Sequence, residues 1–263
     1  MENRVYTLYS GSAGNSVYFD LAGHEFLIDA GKSARTLCHA LSDIGSDISH
    51  IEAIFITHEH SDHIGALETL TKKHRIPIHI CAGSAQKLKN ICGSALCECL
   101  CEHTPLYSVT LGNGDVKVSS FDTPHDSLGS VGYRIEYKND DGETLDVGLA
   151  TDIGYITDSI RRGLDGCRDV ILESNHDIDM LVGGPYPQNL KMRILSKRGH
   201  LSNTDCAAFA AELCEHGTKN ILLAHLSHEN NTPEIALAET LSAVAGMNVH
   251  INVADRDNAV RLF

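Results

Sequence analysis

The chain has 263 residues, 42% of them hydrophobic, with 35 acidic against 21 basic side chains and a formal net charge of −14. That length buries a substantial core. The acidity argues against a broad basic surface for nucleic acid, whose backbone is bound through Lys and Arg. No run approaches the roughly 18 consecutive apolar residues of a membrane span, and the opening MENRVYTLYS has no basic and apolar leader pattern, so neither a membrane nor an export signal is expected. Nine cysteines, an odd number without a CxxC spacing, point to reduced thiols in a cytoplasmic protein.

In chain order, alternation predicts strands over Val5–Tyr9, Ser16–Asp20 and Glu25–Asp29, then a helix over Ser33–Ile44 with Ser33 as its cap. Ala53–Thr57 (AIFIT) has the composition of a buried central strand. His63–His74 carries Ile64, Leu67 and Leu70 on one face and predicts a helix, followed by a strand over Ile76–Cys81. Ser84–His103 reads as helical at first and loses definition after Gly93. Val116–Phe121, Val131–Tyr137 and Leu145–Thr151 are expected strands, the last two joined by a turn at Asn139-Asp140-Asp141-Gly142. A helix after Thr157, a strand over Asp169–Glu173 and a helix over Asn203–His216 come next. A strand at Asn220–Leu226, a helix opened by Thr232-Pro233, and strands at Val249–Ala254 and Ala259–Phe263 complete the order. With no linker or repeat, the expectation is one domain over 1–263, with two packed sheets and outer helices.

The motif with most chemical content is His58-Glu59-His60-Ser61-Asp62-His63, between the buried strand and a helix. Two histidines two apart on a strand end can converge on one ion, and Asp62 and His63 can face a second beside it. A histidine-rich surface loop is the bland alternative, but it does not account for this spacing at a strand-to-helix junction. Three further residues follow expected strands: His125, Asp152 and His225. Carboxyl ends of strands are where sites of layered α/β folds gather.

These motifs, in this order over nearly the whole chain, resemble the metallo-β-lactamase superfamily, which implies a four-layer αββα fold. By that resemblance one ion takes His58, His60 and His125, the other takes Asp62, His63 and His225, and Asp152 bridges them. Asp29, in IDAG, matches a residue that orients the ligands without binding metal. His at position 60 speaks against the oxygen-reducing flavodiiron branch, which has an acidic residue there. The run Ser10-Gly11-Ser12-Ala13-Gly14-Asn15-Ser16 is similar to the opening of the YycJ (WalJ) group, and Ser12, Asn15 and Ser16 are its candidate phosphate contacts. His200, in Gly199-His200-Leu201-Ser202-Asn203, matches histidines that assist the phosphate or leaving group in relatives.

Four basic residues occur in the eight from Lys191 to Arg198, beside His200, and Lys197 and Arg198 are read as a rim for phosphates. His228 is a candidate substrate contact and His176 a candidate cleft residue. Cys92, Cys97, Cys99, Cys101 and His103 fit no standard structural zinc spacing and are read as thiols. The resemblance thus implies a hydrolase with two divalent ions (zinc, manganese or iron) in which Asp62, Asp152 and His200 take part in the chemistry. Its substrate would be a nucleic acid, cut by a 5′→3′ DNA exonuclease. A phosphodiesterase for a small cyclic or nucleotide phosphate is the second reading, a thioester or lactam hydrolase, disfavoured by His200 with its basic flank, the third, and a metal-stabilised regulatory protein without catalysis the non-enzyme alternative.

Overall fold

Apolar side chains alternate between two faces along the strands, and that alternation builds a layered molecule. The computed structural model describes residues 3–139 and 141–263, so Asp140 of the anticipated turn lies outside the described residues. The first half runs β1 (Arg4–Tyr9), β2 (Ser16–Leu21), β3 (His24–Ile28), α1 (Ala34–Asp43), β4 (Ala53–Phe55), α2 (Ser61–Ile64), α3 (Leu67–Thr71), β5 (Ile78–Cys81), α4 (Ala82–Ile91), α5 (Ser94–Cys97) and β6 (Leu100–His103). The second half runs β7 (Ser108–Leu111), β8 (Val116–Asp122), β9 (Val131–Lys138), β10 (Thr144–Ala150), α6 (Asp158–Leu164), β11 (Asp169–Glu173), α7 (Ile178–Gly183) and α8 (Gln188–Ile194). It ends with α9 (Asn203–Glu215), β12 (Asn220–Ala224), α10 (Pro233–Ala243), β13 (His250–Val253) and β14 (Val260–Arg261).

Two seven-stranded mixed sheets result, ordered β14-β1-β2-β3-β4-β5-β6 and β13-β12-β11-β10-β9-β8-β7. In each, antiparallel neighbours give way to parallel ones, at β3–β4 in the first and β10–β11 in the second. Between the sheets lies an apolar layer that includes Phe19, Phe26, Phe55, Val118, Tyr133, Leu149 and Leu222. On β3, Phe26 and Ile28 point into that layer while Leu27 packs on the other side with Leu37 and Leu41 of α1. The outer face of the second sheet meets Ile160, Phe209 and Leu213 in the same way. This is the αββα sandwich expected from the alternation.

The expected continuous helix over His63–His74 is instead α2 and α3, separated at Gly65-Ala66. The N–H of Ala66 donates to Ala30 O at 2.9 Å, and a Cβ at Gly65 would lie 2.5 Å from Lys32 O. Contact with the loop after β3 thus interrupts the helical ladder. β6, β7, α7 and α8 are elements that the pattern of apolar residues does not announce, because all four are short and partly exposed.

On β5 and β6, His79 and His103 pair through ring nitrogens 2.9 Å apart, with His79 stacked on Phe55. Burial and the neighbouring imidazole push His79 down to about 4. A histidine kept neutral by the fold binds fewer protons than in the unfolded chain. Its stabilisation is therefore present above about pH 6.5 and is lost as pH falls towards 4. The metal-free His79→Phe variant should show a smaller drop in Tm between pH 7.5 and pH 5 than the metal-free parent. An equal drop would assign the acid sensitivity elsewhere.

Candidate metal centre

Three carboxylate and imidazole residues follow their strands with left-handed backbones: Asp29 after β3 (φ 61), Asp152 after β10 (φ 56) and His225 after β12 (φ 58). That conformation costs a non-glycine residue on the order of 1–3 kcal/mol and persists where surrounding structure enforces it. Here it turns each chain sharply at the strand end. His58, His60 and the α2 residues Asp62 and His63 arrive at the same edge from β4, and His125 from the loop after β8.

The donor atoms converge. His60 Nδ1 lies 2.9 Å from His58 Nε2 and 3.3 Å from His125 Nε2. Asp62 Oδ2 lies 3.4 Å from His63 Nε2 and 3.9 Å from His225 Nε2. Asp152 stands between the two sets, with Oδ2 3.3 Å from His63 Nε2 and Oδ1 3.6 Å from His225 Nε2 and 3.8 Å from His125 Nε2. The triads His58/His60/His125 and Asp62/His63/His225 each have donor atoms within 4.8 Å of one another. They border a cavity of about 280 Å³.

His60 turns Nδ1 towards the other donors, and the remaining rings are fixed from behind. His63 Nδ1 is 2.7 Å from Asp29 Oδ2, and Asp29 is itself held by the N–H and hydroxyl of Thr57, both at 2.8 Å. His58 Nδ1 faces Thr57 Oγ1, and His125 Nδ1 faces Gly199 O. Glu173, the last residue of β11 and fully buried, does this twice: its Oε1 lies 2.8 Å from Nδ1 of both His200 and His225. Its Oε2 accepts from the N–H groups of Ile153 and Leu201. Anchoring at Nδ1 leaves Nε2 to face the centre, the usual support for a metal-bound imidazole.

Charge and hydrogen bonding fit a cation. Asp152 Oδ2 and His225 Nε2 are buried without a hydrogen-bond partner, although buried polar atoms normally have one. Ligand nitrogens around an ion about 2.0–2.1 Å away stand roughly 3.3 Å apart, close to the His58–His60–His125 spacings. Burial alone would raise the Asp62 carboxyl, yet His225 and His63 hold it far below the carboxylate range. His225, despite its burial, is lifted to about 10 by Asp152, Asp62 and Glu173. Carboxylates and imidazoles in such close contact are a donor set whose protons a divalent ion would displace on binding. The cluster is suited to divalent metal ions.

The anticipated ligands all meet here. The anticipated substrate contacts separate. Ser12 lines the cavity, whereas Ser16 is fully buried with its hydroxyl donating to Asp29 O at 2.8 Å. Asn15 is buried as well, bonded to Gly11 and reaching Asp62 Oδ2 at 3.3 Å, so it braces that carboxylate. His228 is exposed and paired with Glu229, outside the cavity lining, and His176 is buried and also outside it. Lys197 and Arg198 line a neighbouring cavity, and it is Arg193 from the same basic run that lines this one, its Nε 2.6 Å from Asp126 Oδ2. The cysteines of α5 and β6 are free and form no metal-ligating group among the described residues. Glu173 is the site residue that sequence reasoning missed. A charged residue closing the apolar strand DVILE was its signal.

An αββα sandwich with imidazoles and carboxylates gathered at its strand ends is the architecture of metallo-β-lactamase-fold hydrolases. The Beta-lactamase superfamily domain matches residues 24–226. Exodeoxyribonuclease WalJ of Streptococcus pneumoniae serotype 2 is 33% identical over 246 residues, 94% of this chain and 90% of that protein. Exodeoxyribonuclease YycJ of Bacillus anthracis is 33% identical over 233 residues, 87% of this chain and 84% of that one. The crystal structure of the metallo-β-lactamase fold protein YhfI from Bacillus subtilis superposes with a TM-score of 0.69 at 18% identity, covering 99% and 100% of the two chains. The chain belongs to the metallo-β-lactamase superfamily, in the group of WalJ and YycJ. No helix among the described residues is long and apolar enough to cross a membrane.

Proposed function

We propose that this chain is a 5′→3′ DNA exonuclease working with two divalent ions, zinc or manganese, in the cytoplasm. The observation that carries this reading is the pair of buried, partnerless atoms, Asp152 Oδ2 and His225 Nε2, at the meeting point of both triads. Likeness to exodeoxyribonucleases over almost the whole chain supplies the substrate class. Nine free thiols support a reducing compartment.

In this reading His58, His60 and His125 would hold one ion and Asp62, His63 and His225 the other, with Asp152, whose oxygens reach imidazoles of both sets, available to either. The pair supplies Lewis acidity and activates water near neutral pH. Arg193, steadied by Asp126, meets a non-bridging oxygen of the phosphate. His200, with Nδ1 committed to Glu173, offers Nε2 as proton donor to the departing oxygen. Asp29 and Glu173 keep the imidazoles in the required tautomer.

The test offers purified protein of measured metal content 5′-phosphorylated single- and double-stranded DNA, RNA, and bis(p-nitrophenyl) phosphate. Mononucleotides should be released from DNA, and a chelator should abolish the release until divalent metal is restored. Cleavage confined to the small diester would replace the nuclease reading with a phosphodiesterase for small phosphates, which the −14 charge favours. A protein that binds no metal would leave a scaffold.

A further inference from the structure

A second cavity, of about 380 Å³, lies beside the metal cavity, and His125 lines both. Its walls are pinned to the metal centre. Gly154, two residues past Asp152, donates its N–H to Pro124 O at 3.0 Å, and a Cβ there would lie 2.4 Å from Lys197 O. Only glycine lets this segment lie against Lys197 and Arg198. The loop carrying Leu128 is tied down too: the Leu128 N–H donates to the buried Glu59 carboxylate at 3.2 Å, and Glu59 accepts from Ser84 at 2.6 Å.

What lines this cavity is unusual for so acidic a chain. Tyr155 is 43% exposed with Lys197 Nζ 5.6 Å from its ring centre, and Leu128 is 64% exposed. Lys197 and Arg198 form no ion pair among the described residues, and Asp122 is the one carboxylate of the lining. An exposed aromatic ring beside cations that no carboxylate pairs is how single strands are held, the base on the ring and the phosphate on the charge.

We propose that this cavity is a subsite for the nucleotide adjoining the scissile phosphate, its base stacked on Tyr155 against Leu128 and its own phosphate met by Lys197 and Arg198. The proposal rests on the phosphodiesterase reading of the metal cavity and deepens it. A substrate with a single phosphodiester and no further nucleotide would leave the subsite empty, so the geometry points to a single-stranded nucleic acid end.

The experiment compares kcat/KM of the metal-loaded protein for a 5′-phosphorylated oligodeoxynucleotide and for bis(p-nitrophenyl) phosphate. Tyr155→Ala should lower the oligonucleotide-to-diester ratio by roughly 10- to 100-fold, mainly through KM, and Tyr155→Phe should restore it. Replacing both Lys197 and Arg198 with alanine should flatten the dependence of log KM on log salt by about 0.7, the value for one phosphate contact on a single strand. Metal content equal to the parent's shows that these exposed positions leave the fold intact. A parent that cleaves no oligonucleotide overturns the nuclease reading. A parent that cleaves it, with an unchanged ratio in Tyr155→Ala or a phenylalanine as poor as alanine, overturns the subsite alone.

Discussion

Asp152→Asn is expected to be purified without its full metal complement and with turnover reduced roughly 10³-fold or more, on the order of 4 kcal/mol of transition-state stabilisation. The argument is geometric. Among the described residues Asp152 is the one side chain whose two oxygens reach imidazoles of both triads, at 3.3 Å from His63 and 3.6 and 3.8 Å from His225 and His125. No hydrogen bond among the described residues satisfies its Oδ2, which a cation would do. Asparagine keeps the shape and tolerates the left-handed backbone at this position, but it replaces one anionic oxygen by a donor that cannot face a metal. The variant should therefore keep the circular dichroism of the parent and unfold within a few degrees of the metal-free parent. Two tightly bound ions per chain in Asp152→Asn would remove the bridging role.

Why the candidate ligands were legible in the sequence, and their supports less so, follows from where each kind of residue sits. His58, His60, Asp62 and His63 occupy six consecutive positions, and a polar cluster directly after a buried strand has few other uses. His125, Asp152 and His225 each stand just past an apolar run, so the strand pattern located them. Glu173 falls inside the run, where alternation reads only a strand, and its two imidazole partners are 27 and 52 residues away. Ser16 and Asn15 share a motif with Ser12, yet the pleat sends Ser16 inward onto Asp29 O and turns Asn15 onto Gly11, leaving Ser12 at the cavity. Spacing cannot separate them. Only the register of β2 against β3 does, with Val17 opposite Ile28. In the basic run, α8 ends at Ile194, which puts Arg193 over the metal cavity and Lys197 and Arg198 beyond it. The layered fold was legible because alternation reports burial. The split of α2 from α3 was not, because it depends on hydrogen bonds to a loop about 35 residues earlier.

Glu173→Gln and His200→Ala should fail in different ways, and the difference tests how the proton reaches the leaving oxygen. Glu173 accepts on every side: Oε1 faces the Nδ1 atoms of His200 and His225, and Oε2 takes two backbone N–H groups. A glutamine amide has one oxygen to offer. Its NH₂ must face either the backbone donors or the ring N–H groups, so one side is left with donors opposed. His225 then loses its tautomer, and metal affinity should fall by about 10- to 100-fold along with turnover. His200→Ala leaves both triads intact, so metal content should hold while kcat on DNA falls by about 10²- to 10⁴-fold. The leaving group separates the roles further. An alkoxide departing from DNA needs a proton, whereas p-nitrophenolate departs readily without one. His200→Ala should therefore depress DNA cleavage far more than cleavage of bis(p-nitrophenyl) phosphate. Glu173→Gln, acting through His225 as well, should depress both substrates. Equal losses on the two substrates in His200→Ala would mean that the imidazole orients the phosphate and that the proton comes from water.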